Sequence, residues 1–87
     1  MAAIDFTDNR VQIVLRGIRD HADCSLSELW FLEWNRHFTG YTGKGKFNHG
    51  FVERMVPRLI KSGFVLRARK NRLSLTAEGL ASITKRV

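Results

Sequence analysis

The chain has 87 residues, 44% hydrophobic and 26% charged, with a formal charge of +7 and a pI near 10.6. Such a length allows one domain spanning residues 1–87 with a thin core, and the composition is globular rather than disordered. A single cysteine, Cys24, excludes an internal disulfide and favours a reducing compartment. The apolar stretches are too short to span a membrane, and the start, MAAIDFTD, lacks the basic and apolar runs of a signal peptide.

The charge is divided unevenly. Residues 1–42 hold four Lys/Arg against six Asp/Glu, a net of −2, whereas residues 43–87 hold eleven against two, a net of +9. Clustered cations of this kind point to a polyanionic partner, because they release condensed counterions from phosphates.

In chain order, a first helix is predicted from about Asp8 to Asp20, with Thr7 as N-cap and Asp8 favoured at the positive end of the helix dipole. Val11, Val14, Leu15 and Ile18 form its apolar stripe. The chain breaks at His21-Ala22-Asp23. A second helix opens at Ser25, which has capping-box spacing to Glu28. Leu26, Leu29 and Trp30 line one side of it and Trp34 extends that stripe. Phe31, Leu32 and Phe38 lie off it. These either fill a second layer against Ile4 and Phe6 or form a contact surface. Phe31, Trp34 and Phe38 are accordingly the candidate dimer or partner surface. Thr39 to Lys46, with three glycines and two lysines, reads as a loop.

The third helix is predicted from about Asn48 to Ser62, with Phe51, Val52, Met55, Val56, Leu59 and Ile60 as its apolar face and Gly63 as its stop. Pro57 inside the run implies a kink, or a regular helix that begins near it. Phe64 to Arg69 alternates, with Phe64, Leu66 and Ala68 on one face and Val65, Arg67 and Arg69 on the other. Arg72 to Thr76 alternates again, with Leu73 and Leu75 inward. Lys70-Asn71 suits a two-residue hairpin turn between them. Thr76 caps a last helix, with Leu80, Ile83 and Val87 turned inward. The fold class is therefore mainly α with a small β-hairpin, in the order helix-helix-helix-hairpin-helix.

The runs Arg58-Leu-Ile-Lys-Ser-Gly-Phe-Val-Leu-Arg67 and Leu73-Ser-Leu-Thr-Ala-Glu-Gly-Leu80 resemble the winged helix-turn-helix family, in particular the DNA-binding part of MarR-like and PadR-like regulators. In that family a recognition helix ends in a Leu-x-x-x-Gly-Leu/Phe-Val step, a wing hairpin follows, and a Leu-Thr-x-x-Gly turn opens the next helix. The resemblance covers residues 48–87 by motif and residues 8–38 only by order of elements. It departs from the family in the glycine-rich insertion from Thr39 to Phe47 and in the lack of long flanking helices. It implies a bare module for double-stranded DNA, without an effector site, acting as a regulator or architectural factor. Its expected home is the cytoplasm, or the nucleoid in a bacterium.

The candidate DNA-binding residues follow from what each helix and strand leaves outside its apolar face. On the third helix these are Asn48, His49, Arg54 and Arg58, with Gly50 allowing close approach; Asn pairs bidentately with adenine and Arg with guanine. The wing offers Arg67, Arg69, Lys70 and Arg72, and the preceding loop Lys44 and Lys46. The alternative function is a protein-interaction module, of a phage or plasmid type, whose basic face meets an acidic protein. With either, a symmetric homodimer that packs the second helix, with Phe6 or Ile4 nearby, is expected.

Other motifs carry little. Gly43-Lys44 lacks the spacing of a phosphate-binding loop. Gly40-Tyr-Thr-Gly43 shares only two glycines with single-strand-binding KH domains, which need a strand before their first helix. Of His21, Cys24, His37 and His49, only His21-x-x-Cys24 has local metal-ligand spacing. No nucleophile–base or paired-carboxylate arrangement is visible, so neither an enzyme nor a cofactor or small-molecule ligand is expected.

Overall fold

In the computed structural model, residues 4–37 and 47–83 are described, apart from the side chains of Arg36 and His37. They form four α-helices and a small antiparallel sheet of three strands: α1 Asn9–Asp20, β1 Cys24–Ser25, α2 Leu26–Leu32, α3 His49–Lys61, β2 Val65–Arg67, β3 Arg72–Leu75 and α4 Ala77–Ala81. None of the described helices is long and apolar enough to cross a membrane.

α1 is the central element. Its apolar residues are Val11, Ile13, Val14, Leu15 and Ile18, and all are buried. Asp8, not Thr7, caps it: the Asp8 carboxylate accepts the Arg10 amide at 2.9 Å and also holds the Arg10 guanidinium at 2.7 Å. A charged acceptor serves the positive end of the dipole better than a hydroxyl. Thr7 instead donates its amide to Asp5. Gln12 is buried as well, and its side-chain amide donates to the carbonyls of Phe6 and Ser82, tying the segment before α1 to the end of α4.

The capping box of α2 forms as its spacing predicts: the Ser25 amide donates to Glu28 Oε1 at 3.0 Å and the Glu28 amide to Ser25 Oγ at 3.3 Å. The α-helix ends at Leu32, and a 3₁₀ turn over Trp34–His37 follows. That turn swings Trp34 into the core, fully buried, where its indole N–H donates to the Ile13 carbonyl. Trp34 is thus no part of an outer surface. The indole brings its Nε1 edge against α1 at Gly17, where any Cβ would collide with it.

α3 runs unbroken through Pro57, which sits on its exposed side, so the ring meets solvent. Only the helical partner of the Glu53 carbonyl is lost. Asn48 is its N-cap. At the other end Gly63, with φ +87°, turns the chain left-handed. The Gly63 amide then donates to Ile60 and the Phe64 amide to Leu59, closing the last carbonyls in a Schellman arrangement.

The sheet order is β1-β3-β2, with Cys24 opposite Leu73 and Val65 opposite Leu75. β1 has no counterpart in the sequence reading; Asp23, at φ +68°, turns into it and donates its amide to the Leu73 carbonyl. Inward on β2 is Val65, whereas Leu66 is 57% exposed. Lys70 and Asn71 both adopt positive φ as expected, but the Ala68 amide donates to the Arg72 carbonyl, so the loop holds a third residue, Arg69.

The motif Leu75-Thr76-Ala77-Glu78-Gly79 closes against the end of α3. Thr76 Oγ1 accepts the Gly79 amide, donates to the Gly63 carbonyl at 2.7 Å, and the Thr76 amide reaches the Phe64 carbonyl. Gly79 is required there, since a Cβ would collide with the Phe64 carbonyl. Leu80, expected inward, is instead 54% exposed, and Ile83 packs on the core. Val87 lies outside the described residues.

Candidate functional site

Helical geometry sorts the outer side of α3 into a ridge and two flanks. Gly50, Glu53, Pro57 and Lys61 form the ridge, opposite the buried Phe51, Val52, Met55, Val56 and Leu59. On one flank, Arg54 and Arg58 line a cleft with Asp5, Asp8 and Arg10 over a floor of Val11, Phe51 and Met55. Arg10 is placed by Asp8 and stacks its guanidinium 4.3 Å from the Phe51 ring centroid. Arg54 lies back over Gly50, close enough that an added methyl would touch it.

The second flank, about 160° round the helix at 3.6 residues per turn, carries Val56. There β2 and the hairpin loop meet the start of α2, and Arg67 and Lys70 line a groove of about 480 Å³ with Ser25, Ser27 and Val56. Arg69 projects at the hairpin tip, exposed.

Three sequence candidates are occupied otherwise. The Asn48 side-chain oxygen accepts the Phe51 amide at 2.9 Å, so a bidentate pair with adenine would undo the helix cap. His49 packs its ring against Trp30, with centroids 4.0 Å apart. Arg72 reaches across the sheet and donates to the Asp23 carbonyl at 3.0 Å; it fastens β3 to the turn before β1. Arg72 also adds to the hydrogen bonds from Ser25 that hold the Glu28 carboxyl below its usual range, the backbone bond being the largest cause. Lys44, Lys46 and Phe38 lie outside the described residues.

Lys61 was not among the candidates, although it lies seven residues beyond Arg54 and thus two turns along the same outer side. Among the described residues Arg54, Lys61, Arg67, Arg69 and Lys70 form no ion pair, whereas Arg10, Arg19 and Arg72 are each close to an aspartate. Arg54 and Lys61 of α3 and Arg67, Arg69 and Lys70 of the hairpin are thus left uncompensated among the described residues. No family model matches the chain, and neither a curated protein nor a solved structure does.

Proposed function

We propose that the chain is a winged helix-turn-helix module that binds double-stranded DNA, with α3 in the major groove and the β2–β3 hairpin on the adjacent backbone. The observation that carries this reading is the placement of uncompensated cations on both flanks of one exposed helix: Arg54 on one side, Arg67 and Lys70 on the other. A helix about 10–12 Å across fills a major groove about 12 Å wide. Cations beside such a ridge then face the two phosphate strands, Lys61 at the end of the ridge reaches a further phosphate, and Glu53 on the ridge faces base edges. The element order and the β1-β3-β2 sheet agree with that architecture. We read the chain as a binding module rather than an enzyme, working in the cytoplasm beside the DNA, as a regulator or architectural factor.

The test is titration of a labelled random-sequence duplex at several salt concentrations. Binding whose log K falls linearly with log salt is expected, with a slope near −4 to −5 for about five neutralised phosphates. Absence of binding at about 50 mM salt, where screening is weak, would remove the DNA reading.

A further inference from the structure

The outer face of α2 is apolar where nothing in the described fold covers it. Phe31 is 86% exposed and Leu32 48%, and together with Ser27 and Glu28 they bound a shallow depression. Solvent-facing Phe and Leu side by side on one helix cost solubility and mark a contact surface when they adjoin polar groups. Here they adjoin charge. Ser27, one turn of about 5.4 Å before Phe31, also lines the groove that contains Arg67 and Lys70. An apolar site therefore runs directly into a cationic one.

We infer that this composite surface docks a protein partner, specifically an acidic amphipathic segment. Its apolar side chain seats on Phe31 and Leu32, and its carboxylates, one to two turns along, meet Arg67 and Lys70. Charge selects this occupant over a second copy of the chain. The chain carries +7, and among the described acidic groups on this side Glu28 is held by the Ser25 cap and Asp23 by Arg72. A second copy would thus bring cations to cations, whereas an acidic segment satisfies Arg67 and Lys70, which form no ion pair among the described residues. The inference does not rest on the DNA reading, although both use Arg67 and Lys70, so the segment and a duplex would compete.

The test is selection from a displayed random-peptide library on the full chain, with Phe31→Ala as counter-selection. Enriched peptides are then measured by fluorescence anisotropy against wild type, Phe31→Ala, Leu32→Ser and Arg67→Ala/Lys70→Ala. Enriched sequences should join an aromatic or aliphatic anchor to carboxylates at helical spacing. Phe31→Ala and the double variant should each weaken them at least about tenfold, with Phe31→Ala leaving duplex affinity unchanged. Far-ultraviolet circular dichroism checks that the exposed substitutions keep the helices, and Leu32→Ser supplies a second reading of the same surface.

Enrichment of peptides without acidic residues would overturn the proposal, as would failure of any peptide to enrich over the counter-selection. So would a wild-type dimer in sedimentation that Phe31→Glu converts to monomer, since the occupant is then a second copy. Loss of duplex binding with peptide binding intact removes only the DNA reading; the converse removes only this one.

Discussion

The hairpin tip offers the sharpest separation of roles among the cations. Arg69 and Lys70 are exposed and make no ion pair among the described residues, whereas Arg72, two positions on from Lys70, is bound to the Asp23 carbonyl. If Arg54, Lys61, Arg67, Arg69 and Lys70 each neutralise one phosphate, the slope of log K against log salt is about −4.5. A rise from about 50 to about 200 mM then costs roughly 500-fold in affinity. Arg69→Ala/Lys70→Ala leaves three contacts, a slope of about −2.7, and roughly a 40-fold loss over the same range. Arg72→Ala should shift the slope by less than about half a unit. Its cost falls on the β1–β3 edge, about 0.5–1.5 kcal/mol for the lost hydrogen bond. Anisotropy of a labelled duplex gives the slopes and urea denaturation the stability. An unchanged slope in the double variant, or equal flattening by Arg72→Ala, would refute the assignment of the hairpin tip to phosphates.

Arg54→Ala should weaken all duplexes alike and flatten the salt slope by about one unit, as a phosphate contact does; competition among defined duplexes checks it, and a change in relative affinity of about 1–3 kcal/mol would instead put its guanidinium at a base edge. Gly17→Ala and Gly50→Ala should have opposite signs. At Gly17 the helix-propensity gain of about 1 kcal/mol is outweighed by collision with the Trp34 indole, for a net loss of about 1–3 kcal/mol in urea denaturation. At Gly50 the methyl meets only the side chains of Arg54 and Asn48 at ordinary contact distance, 3.5 Å, so stability should rise by up to about 1 kcal/mol. Glu28, whose carboxyl is held below its usual range by Ser25, binds protons less readily folded than unfolded. Its contribution is therefore present above the ordinary glutamate range and lost as pH falls through the folded value. Glu28→Gln, which keeps a capping-box side chain, should flatten the urea midpoint on the acid side.

The features legible in the sequence are those closed by bonds within a few residues. Ser25 with Glu28, Gly63 at the end of α3, and Thr76 with Gly79 are local patterns, and the helices they bound stand close to where the periodicity puts them. The basic character of the hairpin is legible from composition alone, whereas period left Phe31 between a second layer and a contact surface, and the described fold leaves it exposed. What tertiary structure decided depends on partners distant in the chain. β1 is two residues long, too short for any period, and exists as a strand because Cys24 and Ser25 pair with Leu73 and Arg72. Arg72 is a fastening rather than a free cation because Asp23 lies 49 residues away in sequence yet within hydrogen-bond reach. Trp34, on the apolar stripe by period yet a candidate surface residue, is core because Gly17 opens a place for its indole on α1 and the Ile13 carbonyl accepts its N–H. Side-chain period says which residues share a face; only the packing of distant elements says which face is covered.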